Sequence, residues 1–318
     1  MSIPLVAHFV WFGERLPWIH ALAVQSAAMR GGFARLVLHH DADLGRAPHA
    51  RALAAHPRVE LRRLDMDRLL SGCGERAPGL RDACTRLAER ATRSDLARLA
   101  ILYQEGGVYL DMDTITVRPL RDLCQDVDAF CGEERIIYPL RVRGSWNPAV
   151  RGLALIRTGL RIALRSVPDG WAAFRRIERF YPRAVNNAII ASAPGSRFIS
   201  RALDRLVELP PHRQAARCGI GPHLLQEIAP DMAPPQVMVH PPEVFYPLAP
   251  EISRHWFRVR RRERGLDVER ALSPATRVVH WYGSTRAPLP LSAIDPAYVR
   301  AHAFRQLFSA LVLPLVDS

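Results

Sequence analysis

A chain of 318 residues with 48% hydrophobic and 24% charged side chains can bury a sizeable core, which excludes a disordered protein. Its formal charge of +13 would suit nucleic acid or an anionic surface, but all 44 basic residues are arginine, which points to coding bias as much as to a basic surface. The five cysteines, Cys73, Cys84, Cys124, Cys131 and Cys218, are odd in number and lack CxxC spacing, which argues against a disulfide framework or structural zinc and for a reducing, cytoplasmic compartment.

In chain order, residues 3–10 form a short apolar run with no basic leader and are expected to be a first buried strand. "GERLPWIHALAVQSAAMRGG" follows as a helix, with Pro17 near its start and Gly31 just past its end. Residues 35–39 read as a second strand ending at Asp41, residues 47–55 as a short helix, and the alternating residues 59–64 as a third strand. One long helical region is expected over residues 80–105, closed by Gly106 and Gly107, before the strand 108–110. Strands alternating with helices predict an α/β fold with a mostly parallel sheet. Later come a strand at 127–132, an arginine-rich helix at 147–167, a strand, turn and helix in "VNNAIIASAPGSRFISRALDRLVEL", and a late strand and turn in "VVHWYGSTR". No stretch reaches the roughly 18 apolar residues of a membrane span.

Ligands bind outside the carboxyl ends of strands in an open parallel sheet. Trp11 follows the first strand, Asp41 the second, and Asp111 and Asp113 the strand in "GGVYLDMDT". If the chain stays extended there, the two aspartates point to one side and need a cation or a proton between them. An aromatic plate and a carboxylate pair would make a nucleotide site; a rim or core tryptophan and a polar turn are the plain alternatives. Two chemistries use D-x-D after an apolar strand. One holds a divalent cation on the diphosphate of a nucleotide sugar. The other, the haloacid-dehalogenase phosphatases, uses the first aspartate as nucleophile, yet it recruits a lysine that this chain lacks.

"RSDLARLAILYQEGGVYLDMDT" resembles the DxD region of the glycosyltransferase-32-type family, a group distantly related to the glucosylating clostridial toxins. Ser94, Asp95, Arg98, Gly106, Gly107, Tyr109, Asp111 and Asp113 match its S-D-x-x-R … G-G-x-Y-x-D-x-D pattern. "HFVWFG", "NNAIIAS" and Gly221-Pro222 are also similar to family segments, so the resemblance spans most of residues 3–290. It implies a GT-A type fold and transfer of a sugar, with retention, from a nucleotide-diphosphate donor, a UDP-sugar or alternatively a GDP-sugar. It implies Mn²⁺ or Mg²⁺ held by Asp111, Asp113 and His280, base stacking on Trp11, and diphosphate contacts from Trp281 and Ser284. Asp95 and Arg98, three apart on one helix face, would grip the sugar, though such a pair is also an ordinary surface ion pair. Asp41, Tyr109 and Asn187 complete the donor-binding set, with a turn-forming role open for Asn187 and a core role open for His280. No residue stands out as a nucleophile, so front-face attack and double displacement both stay open.

Residues 1–290 are expected to form the catalytic domain and residues 291–318 an amphipathic helical extension. The acceptor would be a glycan or a lipid-linked saccharide. Arg157, Arg161 and Arg165 line one face of the 147–167 helix, and Phe304, Leu307, Phe308, Leu311 and Leu315 one face of the C-terminal segment. Each apolar face can pack on the core, and each can instead lie at the inner face of a membrane. A nucleic-acid partner is not expected, since "RHWFRVRRRERG" is the only basic run with interleaved aromatics.

Overall fold

The computed structural model describes residues 2–45, 47–260, 266–283 and 291–317. Strands β1 (Val6–Trp11), β2 (Arg35–His40) and β3 (Val59–Arg63) pair in parallel, linked by α1 (Trp18–Arg30) and α2 (Pro48–Ala54). The chain then runs through α3 (Met66–Ser71), α4 (Ala77–Thr85) and α5 (Arg90–Glu105) and returns as β4 (Gly107–Leu110) beside β1. The short β5 (Thr114–Thr116) leaves this sheet, which continues with β6 (Ala129–Arg135). Helices α6 (Leu140–Arg143), α7 (Pro148–Ser166) and α8 (Gly170–Ile177) separate β6 from β7 (Arg183–Ser192). After α9 (Arg197–Glu208), α10 (Pro211–Ala215) and α11 (Pro222–Ile228) comes β8 (Met238–His240) at the sheet edge. Beyond α12 (Pro242–Phe245), β9 (Val278–His280) pairs antiparallel with β5, and α13 (Pro296–His302) and α14 (Leu307–Val316) end the chain.

The main sheet has the order β3-β2-β1-β4-β7-β6-β8. Among the described strands of this sheet only β7 runs against the rest, antiparallel to both β4 and β6, so the expected α/β fold with a mostly parallel sheet is the one observed. Alternation sorts the side chains. Ala7, Phe9, Leu36, Leu38, Val108 and Leu110 enter the core on one face, and Val10 and Tyr109 the core under α5 on the other. Gly106 and Gly107 have φ of +64° and +97°, and a Cβ on Gly107 would come within 2.6 Å of the Val6 carbonyl oxygen. Glycine is required at this turn because β4 must leave α5 sharply and lie directly against β1.

Three expectations need correction. The helical region at 80–105 is two helices, broken between Thr85 and Arg90, where buried Leu87 turns into the core. Strand β4 ends at Leu110, so the aspartates sit in a turn and not on an extended strand. On α7 the arginine face points inward: Arg161 pairs with Glu251 at 3.0 Å and Arg165 donates to the Pro250 carbonyl at 2.9 Å. The C-terminal segment does pack its apolar side on the core. Leu307, Phe308, Leu311 and Leu315 are buried with Ile19 and Trp281, although Phe304 stays 71% exposed. Among the described residues no helix is long and apolar enough to cross a membrane.

His8 and His39 lie on the α5 face of β1 and β2, ring to ring, with Nδ1 of His8 3.1 Å from Nε2 of His39. Burial pushes His8 down to about 4 and His39 well below its ordinary value. Both rings are neutral in the fold but protonate near pH 6.5 when unfolded. Between those values the unfolded chain binds more protons, so stability falls as pH drops from about 6.5 toward 4, by up to about 1.4 kcal/mol per pH unit for each ring. Thermal unfolding across this window should show the slope, and His8→Phe/His39→Leu should flatten it; an unchanged slope in the double variant would assign the acid sensitivity elsewhere.

Candidate active site

A cavity of about 820 Å³ opens at the carboxyl ends of β1 and β4, and its wall includes Trp11, Asp95, Arg98, Asp111, Asp113 and His280. Because β7 runs in reverse, its early residues Asn186 and Asn187 reach the same edge of the sheet.

Arg98 is the centre of the buried charge. Its guanidinium lies 3.0 Å from Asp95, 3.0 Å from Asp111 and 4.4 Å above the Tyr109 ring, and it donates to the Asn187 carbonyl. Its side chain is only 4% exposed, so the 94–98 spacing builds a buried fork and not a surface pair. Asp95 also accepts from Nδ2 of Asn187 at 2.7 Å. A Cβ on Gly221 would stand 2.6 Å from Asp95, so only glycine lets the start of α11 close over this carboxylate. Burial raises Asp95 to about 6 against the opposing pull of Arg98. Tyr109 points to the α5 face as alternation demands, and its hydroxyl donates to Asp111 at 2.9 Å and lies 3.1 Å from the Ser94 hydroxyl.

The turn after Leu110 separates the partners of the two aspartates. Asp113 faces the end of β9, accepting from the Gly283 N–H at 2.6 Å and lying 3.0 Å from Nε2 of His280. Burial raises Asp111, with Asp113 adding to the rise and Arg98 opposing it. Burial also acts to raise Asp113, but His280 and the Gly283 N–H outweigh it and hold this carboxyl at about 2. His280 is lowered by burial and raised by more through Asp113. One ligand-capable atom from each of Asp111, Asp113 and His280 falls within 4.8 Å of the other two. Two carboxylate oxygens and an imidazole nitrogen form a donor set that could hold a divalent cation, and the buried Nδ1 of His280 has no hydrogen-bond partner among the described residues.

The other expected residues are distributed as follows. Trp11 is half-buried at the cavity wall, donating from Nε1 to the Arg15 carbonyl at 3.0 Å, with its ring 4.9 Å from His20. Asp41 does not line the cavity; its carboxylate accepts from the Gly13 N–H at 2.7 Å and fixes the turn that carries Trp11. Trp281 is fully buried against Phe257 and Phe308, away from the cavity wall. Ser284 lies outside the described residues. Sequence reasoning passed over Glu134, which ends β6 at the cavity, accepts from the Tyr282 hydroxyl at 2.7 Å, and is raised by burial. The available signal was an acid at the end of an apolar strand, the same signal that marked Asp111. In "RHWFRVRRRERG", residues 261–265 are outside the described residues, while His255 and Trp256 are buried and Arg258 donates to the Arg165 and Ser166 carbonyls at the end of α7.

Residues 23–130 match the family described as glycosyltransferase sugar-binding region containing DXD motif. No curated protein matches the sequence. Among solved structures the chain is similar to mouse xyloside xylosyltransferase 1, at 15% identity over 88% of this chain and 98% of that one, with a TM-score of 0.49. It is also similar to the PaToxG glycosyltransferase, at 16% identity over 71% and 68% of the two chains and a TM-score of 0.43. The UDP-bound glycosyltransferase domain of the YGT toxin aligns at 12% identity over 75% and 80%, with a TM-score of 0.43. The family match covers the D-x-D stretch itself, and leaves the phosphatase and nucleic-acid readings without support.

Removing Arg98 would leave Asp95 and Asp111 buried without their cation, a loss of about 3–5 kcal/mol for a broken buried pair. Arg98→Met should therefore lower the melting temperature sharply. Asp113→Asn, which keeps a carbonyl oxygen for Gly283, should lower it far less. Equal melting temperatures for the two variants would contradict this ranking.

Proposed function

We propose, from the match of residues 23–130 to the DXD sugar-binding region of glycosyltransferases, that this chain moves a sugar, with retention, from a nucleotide-diphosphate donor to a glycan or lipid-linked acceptor in the cytoplasm. The observation that carries the reading is the convergence of Asp111, Asp113 and His280, with ligand-capable atoms within 4.8 Å of one another, on the cavity that Trp11 also lines. The volume, about 820 Å³, suits a nucleotide sugar.

In this reading Asp111, Asp113 and His280 hold Mn²⁺ or Mg²⁺, which supplies Lewis-acid neutralisation of the charge on the departing diphosphate. Trp11 stacks on the base, a uracil in the favoured UDP-sugar. Asp95 accepts from sugar hydroxyls at a position fixed by Arg98 and Asn187, and Arg98 orients Asp111 through its other N–H groups. Tyr109 orients Asp111 in the same way. Glu134, Tyr282 and Asn186 line the acceptor side, where transfer with retention requires the hydroxyl to approach from the leaving-group face or through a covalent intermediate. Trp281, next to His280 in the chain, packs in the core against Phe257 and Phe308. Residues 1–290 carry this chemistry, and residues 291–318 brace it.

Turnover of UDP-sugars should stop in EDTA and return with Mn²⁺ or Mg²⁺; undiminished turnover in EDTA would overturn the metal assignment. Asp113→Asn should cost about 10²-fold or more in kcat with the fold retained, because an amide lacks the charge that holds the cation.

Trp11→Ala should weaken UDP binding by about 1–3 kcal/mol, the scale of stacking on a base. Calorimetric titration reads the loss, and unchanged affinity with a sharply lower melting temperature would make Trp11 a core residue.

A further inference from the structure

Helix α7 is amphipathic the wrong way round for a surface helix. Between residues 152 and 167 every exposed position is uncharged, whereas Arg157, Arg161 and Arg165 are partly buried. Leu155, Ile156 and Ile162 are 68%, 62% and 57% exposed, and Leu153, Leu160 and Val167 continue the same stripe at 46%, 44% and 52%. Two aromatic side chains flank it. Trp146, just before the helix, is 85% exposed, and Phe180 is 60% exposed and fixed beside the middle of the helix by Arg157, which donates to its carbonyl. An apolar strip this large on one side of a globular chain marks a contact surface.

The rim of the strip identifies what covers it. Exposed Arg151 and Arg179 stand at its two aromatic flanks, 4.7 Å from the Trp146 ring centre and 4.9 Å from that of Phe180, and exposed Arg141, Arg143 and Arg176 lie on α6 and α8, which pack against α7. Residues 139–180 carry nine arginines against two acids, Asp169 and Glu178, and Asp169 is paired with Arg260 at 3.0 Å. A second copy laid on the strip would bring two such rims together, like against like. An anionic lipid surface matches both parts: acyl chains take the leucines and isoleucines, and headgroup phosphates take the arginines. The 19-residue helix, on the order of 28 Å long, is suited to lying along that interface.

We propose that α7, with Trp146 and Phe180, docks the protein reversibly on an anionic lipid surface. The inner side of the same helix supplies Arg161 to the wall of the 820 Å³ cavity. Docking therefore holds the cavity next to the membrane, and on the glycosyltransferase reading above it selects a lipid-bound acceptor.

Flotation of the full chain with vesicles tests the docking without any need for activity. The wild type should co-float with phosphatidylglycerol-containing vesicles at low salt and not with phosphatidylcholine alone. Leu155→Gln/Ile156→Gln/Ile162→Gln, all at exposed positions, should lower the bound fraction about tenfold or more, and Ile162→Glu should do so in part, each with an unchanged melting temperature. Absence of wild-type co-flotation would overturn the proposal, as would full co-flotation of the triple variant. A wild-type dimer that the triple variant abolishes, without co-flotation, would give the strip to a second copy instead. Co-flotation by a chain that turns over no nucleotide sugar would uphold the docking and reject the enzymatic reading.

Discussion

The site depends on a buried guanidinium. Arg98 is held between Asp95 and Asp111, over Tyr109 and against the Asn187 carbonyl, so one side chain joins α5, β4 and β7. A planar fork with several fixed donors can satisfy two carboxylates and a carbonyl at once, which an ammonium on a flexible stem does less well. Without that cation, burial would drive both carboxyls toward their neutral forms, and neither would serve as a charged ligand or a strong acceptor. The polar atoms around it are hydrogen-bonded to one another, so the cluster is rigid before any ligand enters.

The chain announces this arrangement unevenly. The 94–98 spacing, the two glycines and the D-x-D turn are local, and each follows from helix or strand geometry that a sequence displays. The first three strands and their helices were legible for the same reason, because β-α units have short connections and strong periodicity. The reversal of β7 was not. An apolar run reads the same in either direction, and only the tertiary pairing of Gly107 with Ser192 and Ala129 with Ser192 fixes it. Glu134 and Tyr282 meet across 148 residues of sequence, a distance no periodicity spans.

Helix α7 shows how a pattern can be read correctly and its direction lost. The four-residue repeat of Arg157, Arg161 and Arg165 does define one face, as the spacing requires. What the spacing omits is the partner: Glu251 and the Pro250 carbonyl lie on the inner side and can be satisfied only by long donors. Desolvation lowers Arg165 and Arg157, a sign that these charges are held against the protein and not in open water. Once the arginines turn in, the leucines and isoleucines must turn out. The surface strip is thus a consequence of how the cavity wall is hydrogen-bonded.

The same logic of supply and demand governs the aspartate turn. Asp111, Asp113 and Glu134 bring carboxylates into one buried corner, and Asp95 stands behind them, while Arg98 reaches only the first and the last of these four. Asp113 takes its charge partner from the far end of the chain, through β9, whose pairing with β5 aligns Thr114 with His280. That pairing works only because β5 leaves the main sheet immediately after the turn; had the strand run on past Leu110, Asp113 would have continued beside β7. Ending β4 at Leu110 therefore divides the carboxylates between two supports, one from α5 and one from β9, while keeping a ligand atom of each within 4.8 Å. Charges of one sign held so close on separate supports cannot relax apart, and each is offset from its own side, Asp111 by Arg98 and Asp113 by His280.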